Sequence, residues 1–258
     1  MHQLIFYVII GILVFDYLLD QYLDYLNSTR RSSVLPQELK GIYDEEKYSK
    51  SQEYEKANHK FSILTSSFNL LLILVFLYLE GFAYVDQLAR SVSSNPILVG
   101  LIFFGIIMFA SDILHIPFSI YDTFVIEEKF GFNKTTATTF ILDKLKGWII
   151  AIIIGGGLLS LIIWFYSKVG DSFWIYAWAA VSLFMIFMTM FYTTLIVPLF
   201  NKLKPLEEGE LKTAITDFCK ENDFELDNVY VIDGSKRSTK ANAYFSGLGK
   251  KKKIVLFD

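Results

Sequence analysis

Cysteine and histidine are the two residue types that this sequence has least of. Its 258 residues contain one cysteine, Cys219, which excludes an intrachain disulfide. A lone cysteine on the apolar face of a helix is more often a small hydrophobic residue than a nucleophile, and we predict that role for it. The three histidines are His2, His59 and His115, and none precedes a glutamate. The zinc-peptidase motif His-Glu-x-x-His is therefore absent, and no three-ligand zinc site can be assembled from these residues.

Apolar residues, in contrast, are abundant. They form 53% of the sequence, and the mean hydropathy of +0.40 is far above that of an ordinary soluble domain. A helix crosses a hydrocarbon core of about 30 Å with roughly 20 residues. Five stretches qualify, and we predict transmembrane helices near residues 4–19, 62–84, 97–118, 148–166 and 173–197. No basic residue precedes the first stretch and no small-residue cleavage site follows it, so we interpret it as an anchor rather than a signal peptide.

The basic residues alternate between successive loops. Of the 24 lysines and arginines, seven lie in 20–61, one in 85–96, four in 119–147, one in 167–172 and eleven after residue 197. Cytoplasmic loops of membrane proteins carry the excess of basic residues. The pattern predicts an outer or lumenal N-terminus and a cytosolic C-terminal tail.

The tail reads as the start of a small α/β domain, and we place its boundary after residue 200. Residues 207–221 carry an apolar helical face, residues 228–232 form a strand, and residues 241–245 alternate as a second strand does. Asparagine is disfavoured inside strands, so Asn242 indicates a specific hydrogen-bonding task. The alternative is an ordinary hairpin in which Asn242 caps a loop.

Three groups of residues in the sequence admit two interpretations. Asp112 and His115 lie on one helix face within the third span and are either metal ligands or, as we favour, a polar pair near the inner interface. The glycines at 155–157 favour close packing of helices over a hinge. The lysine run 250–253 indicates a solvated hairpin turn rather than a phosphate loop or a nucleic-acid contact, so we predict no nucleic-acid partner.

Two strings resemble the type 1 CAAX prenyl proteases, an integral-membrane metallopeptidase family. The first is Tyr-x-Thr-Phe-Val-Ile-Glu-Glu-Lys-x-Gly-Phe-Asn, which matches residues 121–133. The second is the stretch 230–258, where Asp-Gly-Ser-Lys-Arg-Ser at 233–238 precedes Asn-Ala-Tyr at 242–244. This sequence departs from the usual family pattern at Thr239 and Lys240, where small polar residues or Ser-His are common.

The resemblance implies a membrane enzyme. Family proteins have seven membrane helices around an internal chamber, and a zinc domain that cuts peptides. Eukaryotic relatives remove the C-terminal tripeptide from prenylated CAAX proteins. The resemblance therefore implies a prenylated protein or peptide substrate, contact with membrane lipids, and a location in the endoplasmic reticulum of a eukaryote or the inner membrane of a bacterium.

The resemblance also assigns site residues. Asn242, Ala243 and Tyr244 match a strand that edges the active-site cleft and pairs with an extended substrate. Zinc, as the cofactor of the full-length enzyme, is held in the family by His-Glu-x-x-His and a later glutamate, which should follow residue 258. We therefore expect residues 1–258 to form the front half of the enzyme, to contain no catalytic or metal-binding residue, to need the C-terminal half as a partner, and to be inactive alone.

Two other functions compete with this interpretation. One is a truncated, non-catalytic membrane protein that binds peptides or lipids. The other is a five-helix transporter, suggested by Asp112, His115 and the three glycines, although the internal repeat typical of such folds is missing.

Overall fold

The computed structural model describes residues 2–258, apart from the side chains of His2 and Glu38. Contacts divide the chain into two compact units. The first unit contains the residues up to Ser91 together with Ile106–Phe130, and the second contains Val92–Gly105 together with Gly131–Asp258.

Helices dominate both units. In chain order they are α1 (His2–Thr29), α2 (Glu45–Tyr78), α3 (Gly81–Val92), α4 (Pro96–Tyr121), α5 (Ala137–Ile150), α6 (Gly156–Val169), α7 (Phe173–Leu195), α8 (Val197–Phe200) and α9 (Glu210–Glu221). Two π-helical turns, Asp122–Glu127 and Ala151–Gly155, continue α4 and join α5 to α6.

Four helical runs among the described residues are long and apolar enough to cross a membrane. They are Gln3–Thr29, Glu45–Tyr78, Pro96–Glu127 and Ala137–Phe200. The last run has 64 residues and contains the break between α6 and α7, where Gly170 adopts a φ of 69°. Ring contacts across this break, such as Tyr166 with Phe173 at 5.1 Å, show that the two helices form a hairpin. The predicted helical membrane protein is confirmed.

In the first unit, α1 packs along α2. The Tyr17 hydroxyl lies 2.7 Å from Ser67 Oγ, and Gln21 donates to Ser66 Oγ at 3.1 Å. The Asp44 side chain caps α2 by accepting a hydrogen bond from the amide of Lys47. At 34 residues, α2 is about 51 Å long, so it exceeds a hydrocarbon core and its polar first half extends beyond the membrane.

The second predicted span, 62–84, extends beyond the helix that contains it. α2 ends at Tyr78, and a separate helix begins at Gly81. Glu80 has a φ of 53°, which breaks the helix, and a side chain on Gly81 would meet the ring of Phe76. Hydropathy does not detect this turn because the residues on both sides of Glu80 are apolar.

The first, third and fourth predicted spans are shorter than the helical runs that contain them, whereas α7 ends two residues before the end of the fifth predicted span. α1 continues ten residues beyond the predicted end at Leu19, and the helix of the third span continues past Pro117 into the π-helical turn. The fourth span covers only the apolar part of a helical run that begins at Ala137, where Thr136 caps it. Charged residues at the ends of these helices hide their true length from a hydropathy window.

The predicted close packing of the glycines at 155–157 is wrong. Added side chains on Gly155 and Gly157 would meet no described residue within 4 Å, and one on Gly156 would lie 3.7 Å from Leu101, an ordinary contact. Gly155 instead ends the π-helical turn, and Gly156 and Gly157 begin α6.

A four-stranded sheet completes the second unit. The strands are β1 (Leu203–Pro205), β2 (Leu226–Ile232), β3 (Ala243–Ser246) and β4 (Lys252–Phe257), in the order β1-β2-β4-β3. β1 and β3 are antiparallel to their neighbours, whereas β2 and β4 are parallel. The core under the sheet contains Val197, Ile232 and Val255.

The structure corrects three details of the predicted tail. The helix begins at Glu210 rather than at residue 207, and the second strand begins at Ala243 rather than at Ala241. β1 was not predicted, because three residues that include Pro205 do not look like a strand.

Candidate substrate-binding edge

β3 lies at one edge of the sheet and pairs only with β4 among the described strands. The amide of Phe257 donates to the carbonyl of Asn242 at 3.0 Å, and Tyr244 lies opposite Val255. Because hydrogen bonding alternates along an antiparallel pair, the backbone groups of Ala243 and Phe245 point away from β4. β3 therefore presents an amide and a carbonyl from each of these two residues at its outer edge.

Asn242 immediately precedes this edge. Its side-chain oxygen accepts a hydrogen bond from the amide of Ala243 at 2.8 Å, and both residues are exposed. The Asn242 side chain is thus already bonded to the first outward-facing amide of β3, that of Ala243. This geometry agrees with the alternative in which Asn242 caps a loop. A peptide strand added here would compete with Asn242 for that amide.

Tyr244 joins β3 to the membrane helix α7. Burial raises the pKa of the Tyr244 hydroxyl, and the nearby Thr193 of α7 acts in the opposite direction. The end of β3 is bonded to α7, since the amide of Gly247 donates to the carbonyl of Thr189 at 3.2 Å. The inner side of β3 is therefore anchored to α7, while Ala243 and Phe245 stay exposed.

The loop before β3 contacts the end of the first family string. The amide of Thr239 donates to the carbonyl of Phe132 at 3.0 Å, and Asn133 forms a bridge with Ser238. The Lys240 ammonium lies 4.7 Å from the centre of the Phe132 ring. The segments 131–133 and 237–240, which are about a hundred residues apart in sequence, are thus neighbours beside β3.

An ion pair that sequence reasoning missed fixes this loop to helix α5. Arg237 donates from Nε to Asp143 Oδ2 at 2.7 Å and from Nη2 to Oδ1 at 2.9 Å. A third bond runs from Nη2 to the carbonyl of Phe200 at 3.0 Å. Both side chains are about three-quarters buried. An arginine and an aspartate can form such a pair, but no sequence signal connects two positions this far apart.

The amino-acid sequence matches two family descriptions in succession. Residues 24–202 match the CAAX prenyl protease N-terminal region with its five membrane helices, and residues 205–258 match peptidase family M48. The chain belongs to the CAAX prenyl protease family. The predicted resemblance is confirmed.

Named relatives and a solved structure agree with this membership. The chain is 38% identical over 274 residues to the probable CAAX prenyl protease 1 of Schizosaccharomyces pombe, covering 97% of this chain and 56% of that protein. It is 36% identical over 263 residues to CAAX prenyl protease 1 of Saccharomyces cerevisiae, covering 97% and 58%. The crystal structure of S. mikatae Ste24p superposes with a TM-score of 0.90 at 36% identity, covering 98% of this chain and 61% of that one. The chain thus spans less than two thirds of the length of these relatives.

Membership in this metalloprotease family implies a metal, but the described residues do not fit one. No three histidine, cysteine, aspartate or glutamate side chains come together in the described part of the chain. The side chains of His2 and Glu38 lie outside the described residues. Cys219 is buried among apolar residues, as predicted for a small hydrophobic residue.

The favoured interpretation of His115 agrees with its surroundings in this member of the family. One ring nitrogen lies 2.6 Å from the carbonyl of Ser111 and the other 2.6 Å from Asn69 Oδ1. Because both nitrogens already have hydrogen-bond partners, His115 acts as a polar link between α4 and α2. This bonding does not fit a metal ligand.

An apolar groove of about 670 Å³ lies next to β3. It runs between α9 and the face of the sheet that carries Phe245. Phe218 and Phe245 are 66% and 68% exposed, which leaves the predicted apolar face of α9 largely uncovered by the described residues.

Proposed function

We propose that this chain supplies the membrane region and the substrate-binding strand of a zinc metalloendopeptidase that cuts prenylated CAAX proteins. The observation that carries the proposal is the outer edge of β3, where Ala243 and Phe245 offer backbone groups to an extended peptide. Asn242, Ala243 and Tyr244 form the substrate site, with Tyr244 holding the strand and Asn242 covering its first donor. The names of the relatives support a prenylated substrate.

A proline at residue 243 tests the site. Ala243→Pro removes an outward-facing amide without touching a bond to β4, so the sheet should persist. We expect the variant to bind a fluorescent farnesylated CAAX peptide about fivefold more weakly in nanodiscs, as measured by anisotropy, because one backbone hydrogen bond is worth about 1 kcal/mol. Lys204→Gln on β1, the opposite edge, is the matched control. Equal affinity of the wild type and Ala243→Pro would contradict the proposed site.

Zinc and catalysis are proposed to require residues that 1–258 do not contain. The support is the missing His-Glu-x-x-His motif and the lack of a described three-ligand cluster. We further infer that the C-terminal half of the family fold covers the groove between α9 and β3. Purified 1–258 should contain less than about 0.1 zinc per chain and should not hydrolyse the peptide. Stoichiometric zinc with hydrolysis would contradict this part of the proposal.

A non-catalytic peptide-binding protein is the second candidate, since the β3 edge alone is enough for binding. The two candidates are distinguished by adding the C-terminal portion of the S. pombe relative. Restored hydrolysis supports the protease, whereas peptide binding without hydrolysis supports the alternative. The transporter interpretation is replaced by the family membership.

The orientation is proposed from the alternation of basic residues, with the N-terminus lumenal and the tail cytosolic. Because the relatives reported above are from yeasts, the endoplasmic reticulum is the proposed membrane. In a Cys219→Ser background, a cysteine placed at residue 250 should react with an impermeant thiol reagent only from the cytosolic side. Labelling from the lumen would overturn the orientation.

A further inference from the structure

A second groove, of about 520 Å³, lies in the first unit between α2 and the end of α4. Phe61 and Leu64 line it from α2, and Phe118 and Tyr121 line it from α4. The rings of Phe61 and Tyr121 are 5.2 Å apart, so the wall is largely aromatic. This groove and the groove beside β3 have no lining residue in common.

Two lysines stand at this groove. Lys60 belongs to α2 and Lys129 follows the π-helical turn after α4, and both side chains are exposed. Neither forms an ion pair with any residue whose side chain the structure describes. The lining of the groove contains these two positive charges and no carboxylate.

The acidic residues close in sequence do not line the groove. Glu127 accepts a hydrogen bond from the Tyr54 hydroxyl, and the ring of Tyr54 packs edge-on against Phe130 at 5.2 Å. Asp122 and Glu128 also have interaction partners. Of the charged residues in this region, only Lys60 and Lys129 line the groove.

Both lysines also lie at the ends of membrane-crossing segments. In α2, Lys60 is the last charged residue before the apolar stretch that begins at Phe61. Lys129 comes two residues after Glu127, where the apolar run Pro96–Glu127 ends. The alternating basic loops place both lysines on one side of the membrane, at the depth of lipid headgroups.

We propose that this groove binds an anionic glycerophospholipid of the membrane leaflet next to Lys60 and Lys129. The phosphate lies between the two ammonium groups, and an acyl chain runs along Phe61, Leu64 and Phe118. A basic pocket between membrane helices is a known form of headgroup recognition. The proposal does not depend on protease activity.

The test is lipid retention by 1–258, measured by native mass spectrometry after mild delipidation from nanodiscs that contain phosphatidylcholine and phosphatidylglycerol. We expect one phosphatidylglycerol to remain per chain. Each of Lys60→Gln and Lys129→Gln should weaken retention about fivefold and the double variant about thirtyfold, from about 1 kcal/mol per lysine. Lys47→Gln with Lys50→Gln, a pair on the polar half of α2, removes the same charge outside the groove and should leave retention unchanged.

A shape variant separates this site from general surface attraction. Leu64 is 59% exposed, so Leu64→Trp should fold while filling the acyl part of the groove, and it should reduce retention about tenfold. Equal losses in the Lys47/Lys50 control, equal retention of phosphatidylcholine, or displacement of the lipid by millimolar inorganic phosphate would each overturn the proposal. Photo-crosslinking of a diazirine-bearing phosphatidylglycerol to residues 61–64 would support it.

Discussion

The two edges of the sheet differ in what they offer to another chain. At the β1 edge, the amide of Leu206 donates to the carbonyl of Val229 at 2.8 Å, so by alternation Leu203 and Pro205 face outward. Pro205 has no amide hydrogen, which leaves β1 with one outward donor. β3 has two outward amides, at Ala243 and Phe245, of which the Asn242 side chain covers the first. Proteins use proline and short strands to block unwanted pairing at sheet edges. β1 is blocked in this way and β3 is not.

The largest expected effect comes from detaching the open edge from the membrane helices. Arg237→Ala leaves Asp143 buried without its partner, which we expect to cost about 3 kcal/mol. Amide hydrogen exchange in β3 should become about a hundredfold faster, while β1 and β2 stay protected. Glu208→Gln breaks the exposed pair with Lys212 and serves as the control, with an expected cost below about 0.5 kcal/mol. Uniform acceleration over all four strands would show that Arg237 supports the whole sheet instead.

A turn substitution should weaken β3 next most strongly. Gly247 has a φ of 98°, and an added side chain would meet the backbone oxygen of Lys251. Gly247→Ala is therefore expected to destabilise the β3–β4 hairpin by about 2 kcal/mol, measured as local exchange. Gly249 has a φ of 55° and open space around it, so Gly249→Ala should cost about 1 kcal/mol. Equal costs would mean that the turn rearranges around the new methyl group.

Restoring an amide at the β1 edge should change the affinity for the peptide only slightly. Pro205→Ala restores an outward amide on β1, but the strand has only three residues. We expect the affinity for the farnesylated peptide to change by less than about twofold. A gain of tenfold would show that proline alone distinguishes the edges.

The smallest expected effect concerns the loop that precedes β3. Hydrogen bonds from the backbone and side chain of Ser235 lower the pKa of the Asp258 carboxyl below its ordinary value of 3.8. The charged form is favoured in the fold, so this contribution is present above pH 3.8 and is lost as the pH falls through the lowered pKa. Ser235→Ala removes the hydroxyl donor but keeps the amide, which is the larger cause of the shift, so the carboxyl pKa, followed by NMR, should rise only part of the way to 3.8. An unchanged pKa would show that the hydroxyl does not contribute to the shift.

Sequence reasoning succeeded where patterns are local. β2 and β4 are rich in β-branched residues, and α2 has a polar half followed by an apolar half, so both features were predictable. β1 was not predicted from the sequence, because its pairing with β2 rather than its composition makes it a strand. The end of α2 depends on a single dihedral angle at Glu80.

The surroundings of the candidate site were less predictable than its residues. Asn242, Ala243 and Tyr244 were named from the family resemblance, and their role stays a prediction. The bond between Arg237 and Asp143 joins positions 94 residues apart, and the contact of Thr239 with Phe132 is equally distant. Such contacts are set by the packing of the chain and leave no periodic trace in the sequence.

The π-helical turn at Ala151–Gly155 makes the effect of a deletion in the run from α5 to α6 depend on its position. A π-turn accommodates one residue more than an α-turn, so removing one of these five residues would restore a regular helix and leave α5 and α6 in nearly the same relative rotation. Removing one residue between Asp143 and Ala151 would instead rotate the first part of α5 against α6 by about 100°. Asp143 would then turn away from Arg237, although neither residue had been altered. A single deletion in a membrane helix would in this way break the ion pair that holds the loop before β3 to α5.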